Sequence, residues 1–193
     1  MSTTCDCSSL RSLAGLTRDC CPNIGGIKTV YLAKYDDIDS VTKVADTEAT
    51  NTGYITTITF KNDTEHQGAK WFEYQFRKNT GSMTSTLNVN DDTGNTYIST
   101  EISLVFGRMD TVKRIEMTAL TVTPVVAVVI DSNDIAWYVG YDDYASASAG
   151  TGETGTAKED RNAYTLTLTS ENTDWPYELS DAAVEAVKTS AEG

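Results

Sequence analysis

Four thiols crowd the start of the chain, as Cys5-Asp6-Cys7 and Cys20-Cys21, and they are all the cysteine it contains. Thiolates gathered in this way suggest a soft metal or a disulfide. Structural zinc ligands are usually paired about two to four residues apart, however, and C-x-C with C-C departs from that spacing. Adjacent Cys20 and Cys21 would strain to chelate one ion together. Free thiols on an N-terminal arm are therefore the expectation, with no metal and no cofactor assigned.

The single histidine, His66, lies in Asp63-Thr64-Glu65-His66-Gln67-Gly68 and has no second imidazole to share a metal with. No nucleophile elbow, phosphate loop or dinucleotide fingerprint is present. Carboxylates cluster at Asp36-Asp37-Asp39, Asp91-Asp92, Asp131/Asp134 and Asp142-Asp143. Glycoside hydrolysis needs two carboxylates facing each other across a cleft, whereas neighbours in turns are solvated or hold calcium loosely. Asp131-Ser132-Asn133-Asp134 begins like an EF-hand loop, but Ile135 occupies a ligand position and the later Gly and Glu are missing. Trp137-Tyr138, Tyr141 and Tyr144 could stack on sugars or bases, although strand alternation explains them as core or intersubunit packing. No catalytic residue emerges, and the expectation is that the protein is not an enzyme.

The elements that would position these residues read as β. The chain has 193 residues, is 39% hydrophobic and holds only three prolines, enough apolar content for a substantial core. Threonine is abundant, and its branched β-carbon suits a half-exposed pleated face. With 28 acidic against 15 basic residues the net charge is −13, which excludes binding nucleic acid through a broad basic footprint. Nothing approaches a membrane span, and the N-terminus lacks the basic and apolar regions of a signal peptide. Synthesis and folding in a cytoplasm are expected.

Residues 1–23 read as an arm, with Leu10, Leu13 and Leu16 on a possible helical turn stopped by Pro22. Strands are expected at 27–33, 54–60, 70–76, 83–90, 96–106, 125–130, 135–140 and 164–169. Phe72, Tyr74 and Phe76 would share one face of the 70–76 strand. The polar stretch 35–51 reads as a loop with a short extended piece. A helix starts around Asp110, capped by that residue, with Met109, Val112, Ile115, Met117 and Leu120 toward a sheet. Ser180 would cap a short helix or tail at 180–193. Between the last two strands, 142–161 reads as a long acidic loop containing Gly150, Gly152 and Gly155. The 83–106 hairpin carries Met83, Ser85, Leu87 and Val89 on one face and Thr84, Thr86, Asn88 and Asn90 on the other. The expected fold is thus mainly β: a sandwich or partly open barrel over 24–179, with one packed helix and long loops.

The run Asn23-Ile24-Gly25-Gly26-Ile27-Lys28-Thr29-Val30-Tyr31-Leu32-Ala33, the later hairpin strands and Asp160-Arg161-Asn162-Ala163-Tyr164-Thr165-Leu166-Thr167-Leu168-Thr169-Ser170-Glu171 together resemble tail tube and related virion proteins of phages that infect Bacteroidetes. The similarity spans roughly residues 23–178 in pattern. It implies a tail-tube-like fold and a ring-forming structural protein, commonly hexameric and able to stack, whose subunit hairpins join into a β-barrel around a DNA channel. Its partners would be itself, other virion proteins and passing DNA, with no membrane. Its place would be the virion tail, after assembly in the host cytoplasm. On that reading Thr84, Thr86, Asn88, Asn90, Thr96, Thr100 and Glu101 line the channel. Asp142, Asp143, Glu153, Glu159 and Asp160 then lie on a loop that meets the next ring. Two further readings remain open: a head–tail connector or other ring of a short-tailed phage, and a monomeric carbohydrate-binding or decoration module using the aromatics near Trp137.

Overall fold

The computed structural model describes residues 23–44 and 53–192. The four cysteines and the expected leucine turn lie outside the described residues. The fold is mainly β, and the described residues form three antiparallel sheets and two α-helices. Strands β1 (Ile27–Lys34), β4 (Phe72–Tyr74), β7 (Val125–Asp131), β8 (Ala136–Val139) and β11 (Tyr177–Glu178) form a first sheet in the order β11-β8-β7-β1-β4. Strands β5 (Ser82–Asn90), β6 (Asn95–Gly107), β9 (Ser146–Glu153) and β10 (Ala163–Asn172) form a second, ordered β5-β6-β10-β9. A separate hairpin joins β2 (Ile38–Lys43) to β3 (Ile55–Phe60). Helix α1 (Thr111–Val122) follows β6, and α2 (Asp181–Glu192) ends the chain.

The first sheet is the central layer, and its sequence says so. β7 reads Val-Val-Ala-Val-Val-Ile without a polar break, as a strand covered on both faces must. Val125, Ala127 and Val129 meet Ile102, Leu104, Leu166 and Leu168 of the second sheet in one core. Val126, Val128 and Ile130 point the other way, into a core with Tyr31, Ile55, Trp71 and the α2 residues Ala183 and Val187. Helix α2 is therefore part of a packed outer layer and not a tail. Ser180 caps it, its Oγ accepting from the Ala183 N–H at 3.3 Å.

Four expectations need correction. In the 35–51 stretch the described residues, 35–44, are more regular than expected: Tyr35–Asp37 forms a 3-10 turn and β2 follows it directly, while 45–51 lie outside the described residues. The 70–76 strand shortens to three residues, and its faces divide differently: Trp71 is buried in the outer core, Tyr74 and Phe76 pack on the inner one, and Phe72 is exposed. The 142–161 loop contains β9, which pairs with β10 over most of its length. Its Ser, Ala and Gly residues carry little strand preference of their own, so the ladder comes from the Thr-rich neighbour. Gly152 permits the close approach, because a β-carbon there would sit 2.9 Å from the Tyr164 ring and 3.1 Å from the Met109 methyl.

The fourth concerns α1. Asp110 caps it as expected, accepting from the Lys113 N–H at 2.8 Å, and Met117 and Leu120 pack on the core between the sheets. Val112 and Ile115, expected on that same side, are 78% and 56% exposed. At about 100° per residue the mean direction of this pair lies roughly 140° from that of Met117 and Leu120. With Val122, 78% exposed, they form a second apolar stripe that no described residue covers.

Candidate functional site

The feature with the clearest functional shape is the face of the second sheet that turns away from the core. β5 and β6 pair Thr84 with Glu101, Thr86 with Ser99, Asn88 with Tyr97 and Asn90 with Asn95. Those side chains share the outer face. The intervening pairs, Met83 with Ile102, Ser85 with Thr100 and Leu87 with Ile98, turn inward. Alternation across β6 and β10 extends the outer face through Ser103, Thr165, Thr167, Thr169 and Glu171. On β9 the Ser148 hydroxyl reaches Thr169 Oγ1 at 2.7 Å, a cross-strand contact that continues it.

Of the seven residues expected to line a channel, five fall on this face: Thr84, Thr86, Asn88, Asn90 and Glu101. Thr96 and Thr100 do not. Thr96 pairs with Val89 on the inner face, and Thr100 is 1% exposed, with its hydroxyl 2.9 Å from Ser85 Oγ. The physical reason is parity: the 91–94 turn pairs Asn90 with Asn95, so the odd residues of β6 face outward. Thr165, Thr167 and Thr169 were missed, although their period of two in Tyr-Thr-Leu-Thr-Leu-Thr was a usable signal.

Composition sets the electrostatics. No Lys or Arg occurs in any of the four strands, and the charged residues are Glu101, Glu153 and Glu171. Among the described residues the two outermost strands pair on one side only: β5 with β6, and β9 with β10. Both edges lack the usual guards. β5 has neither charge nor proline over nine residues, and β9 has a single charge, Glu153, at its end.

The five residues expected on one inter-ring loop divide between two ends of β9. Asp142 and Asp143 precede it, their N–H groups donating to Asn172 Oδ1 at 2.9 and 3.2 Å. Glu153 ends β9 and pairs with Arg161 Nε at 2.6 Å. Glu159 and Asp160 lie in the following turn, where Asp160 Oδ2 accepts from Thr156 and Ala157 N–H groups, each at 2.6 Å. These backbone bonds lower the Asp160 pKa. The eight residues of β9 separate the two groups by roughly 23 Å at 3.3 Å per residue.

The remaining acidic clusters serve local structure. Asp131 Oδ1 accepts from the N–H groups of Asn133 and Ile135 at 2.8 and 2.9 Å, and Asp134 pairs with Lys28 at 2.5 Å. Asn90 Oδ1 holds the Asp92 and Thr93 N–H groups of the hairpin turn at 3.1 and 3.2 Å. His66 lies between Asp63 Oδ1, 2.6 Å from Nδ1, and Asp36 Oδ2, 3.5 Å from Nε2, and Lys61 also pairs with Asp36 at 3.1 Å. Among the described residues no three His, Cys, Asp or Glu side chains converge as a metal site. No described helix is long and apolar enough to cross a membrane.

Among the described residues, the class defined by this geometry is a three-layer, mainly β protein with one hydroxyl-rich sheet face, buried only at its Val105–Thr165 end, and two sheet edges that pair with no described strand. Compared with family models, curated proteins and solved structures, the chain gives no match.

Proposed function

We propose that this chain is a structural virion protein, the tail tube (major tail) subunit of a bacteriophage, which closes into a ring of about six copies and stacks around passing DNA. The observation that carries this reading is the pair of unguarded edges on the second sheet. An open edge of eight or nine residues is an aggregation liability in a monomer, and lateral closure removes it. Joining β5 of one copy to β9 of the next would continue the sheet around a ring, with the outer face turned to the lumen. That lumen would be lined by Thr, Ser and Asn, with Glu101 and Glu171 and no strand-borne cation. A phosphate backbone passes such a wall without ion pairs to break, because affinity for DNA comes mainly from Lys and Arg. The resemblance of residues 23–178 to tail tube proteins of Bacteroidetes phages agrees with it.

The test is to express the chain alone, size it by light scattering and image it by negative-stain electron microscopy. Stacked rings with a central channel are expected. Isolated rings that never stack would favour a head–tail connector. A monomer at every concentration, even when seeded with preformed tail tips, would overturn the ring.

A further inference from the structure

On the side of the first sheet away from the hydroxyl-rich face, a polar cleft of about 350 Å³ opens at the base of the β2–β3 hairpin. Its walls include Tyr35, Asp36, Asp39, Lys61, Tyr138 and Tyr141. The volume falls in the range of about 300–1,000 Å³ that small-ligand sites occupy. Tyr138 is the informative residue. It is 1% exposed, its ring packs in the outer core, and its hydroxyl makes no hydrogen bond to another described residue. Burial, with Tyr35 and Tyr141 nearby, pushes its pKa up, so the phenol stays neutral and able to donate. Tyr138 lines the cleft and its hydroxyl is not sealed from solvent there, so a ligand hydroxyl can take the place of water as its partner.

The walls are held in place before any ligand arrives. Tyr35 packs edge-on against Tyr144 with centroids 5.7 Å apart, and Tyr141 packs edge-on against Tyr177 at 4.9 Å. Lys43 Nζ lies 5.6 Å from the Tyr141 ring centroid, which further restrains that side chain. Rings fixed in this way lose little freedom on binding.

The lining also selects the ligand. Asp36 is paired with Lys61 at 3.1 Å, so an anion would meet the carboxylates of Asp36 and Asp39, and a cation would meet Lys61. A neutral polyol suits both, since each of its hydroxyls donates and accepts, and its C–H faces pack on tyrosine rings. We propose that this cleft binds a neutral sugar unit, with the Tyr138 hydroxyl at its floor and Asp39 as an acceptor at its rim. The site is independent of ring formation, because it uses the opposite side of the molecule from the second sheet.

Saturation-transfer difference NMR on the full chain tests the assignment, since it reads monomers and large assemblies alike. The probes are glucose, galactose, mannose, rhamnose and N-acetylglucosamine. At least one should give a saturable signal. Tyr138→Phe keeps the ring that packs the core and should weaken that signal's affinity by about tenfold. Asp39→Asn, at an exposed position, should weaken it without moving the melting temperature. No saturable transfer from any of the five sugars would overturn the proposal, and so would a signal that both variants leave unchanged.

Discussion

Two hydroxyls of the second sheet have opposite fates. Thr100 is buried and shares a hydrogen bond with Ser85 at 2.9 Å, whereas the buried Thr165 Oγ1 has no partner among the described residues. Removing one member of a satisfied pair strands the other, while removing an unpaired hydroxyl relieves a desolvation cost. Thr100→Val should therefore lower unfolding free energy by about 1–2 kcal/mol, and Thr165→Val should leave it unchanged or raise it by up to about 1 kcal/mol. Urea denaturation of both variants checks this, and a reversed order would remove the argument.

His66 gives the chain its one imidazole titration. Hydrogen bonding to Asp63 first, and to Asp36 second, raises its pKa above the ordinary 6.5. The sign follows from that direction: the folded state favours the imidazolium, so the stabilisation is complete below 6.5 and fades as pH rises through the raised value. Its partners run the other way. Asp36, through Lys61 and then His66, and Asp63, through His66, have lowered values, so their share is present above the ordinary 3.8 and is lost in acid. The melting temperature should fall between pH 6 and pH 8.5, and His66→Gln should flatten that fall. A slope unchanged in the variant would show that the clasp contributes nothing.

Among the elements, α1 depends on its start. Asp110 accepts from the Lys113 N–H and also pairs with the Lys113 ammonium at 2.5 Å, and these contacts lower its pKa. Asp110→Ala should cost about 1 kcal/mol, and Asp110→Asn, which can still cap, much less. Chemical denaturation distinguishes the two, and equal losses would assign the effect to charge and not to capping. This cap was legible in the sequence because it depends on one residue and its immediate neighbours. The same holds for β1, β7 and the β5–β6 hairpin, whose apolar periods and turn residues are local. β9 was not legible, since Ser-Ala-Ser-Ala-Gly-Thr-Gly-Glu forms a strand only through the β10 ladder and the Gly152–Tyr164 approach. The side of α1 that meets the core was equally hidden: two apolar stripes exist, and tertiary packing chose Met117 and Leu120 over Val112 and Ile115. At the candidate site, β5 could be read by alternation alone, while the parity of β6 depended on the length of the turn before it.

For the whole molecule, charge and apolar surface oppose each other in any assembly. A net charge of −13 makes copies repel, and the repulsion is screened over about 10 Å at 0.1 M salt. Against it stand the open edges and the exposed inner side of the β5 tip, where Leu87 and Val89 are 49% and 59% exposed. If copies close into a ring edge to edge, added salt should promote assembly, since it weakens repulsion and leaves apolar and backbone pairing intact. Assembly through opposite charges would instead dissolve as salt rises. Leu87→Glu isolates the apolar contribution. The exposed position should tolerate the change in the single chain within about 0.5 kcal/mol, yet a buried carboxylate at a joint between copies would oppose closure. Light scattering across a salt series should show the wild-type particle growing with ionic strength and the variant remaining at monomer size. A variant that assembles as readily as wild type, with an unchanged melting temperature, would remove the β5 tip from the contact between copies.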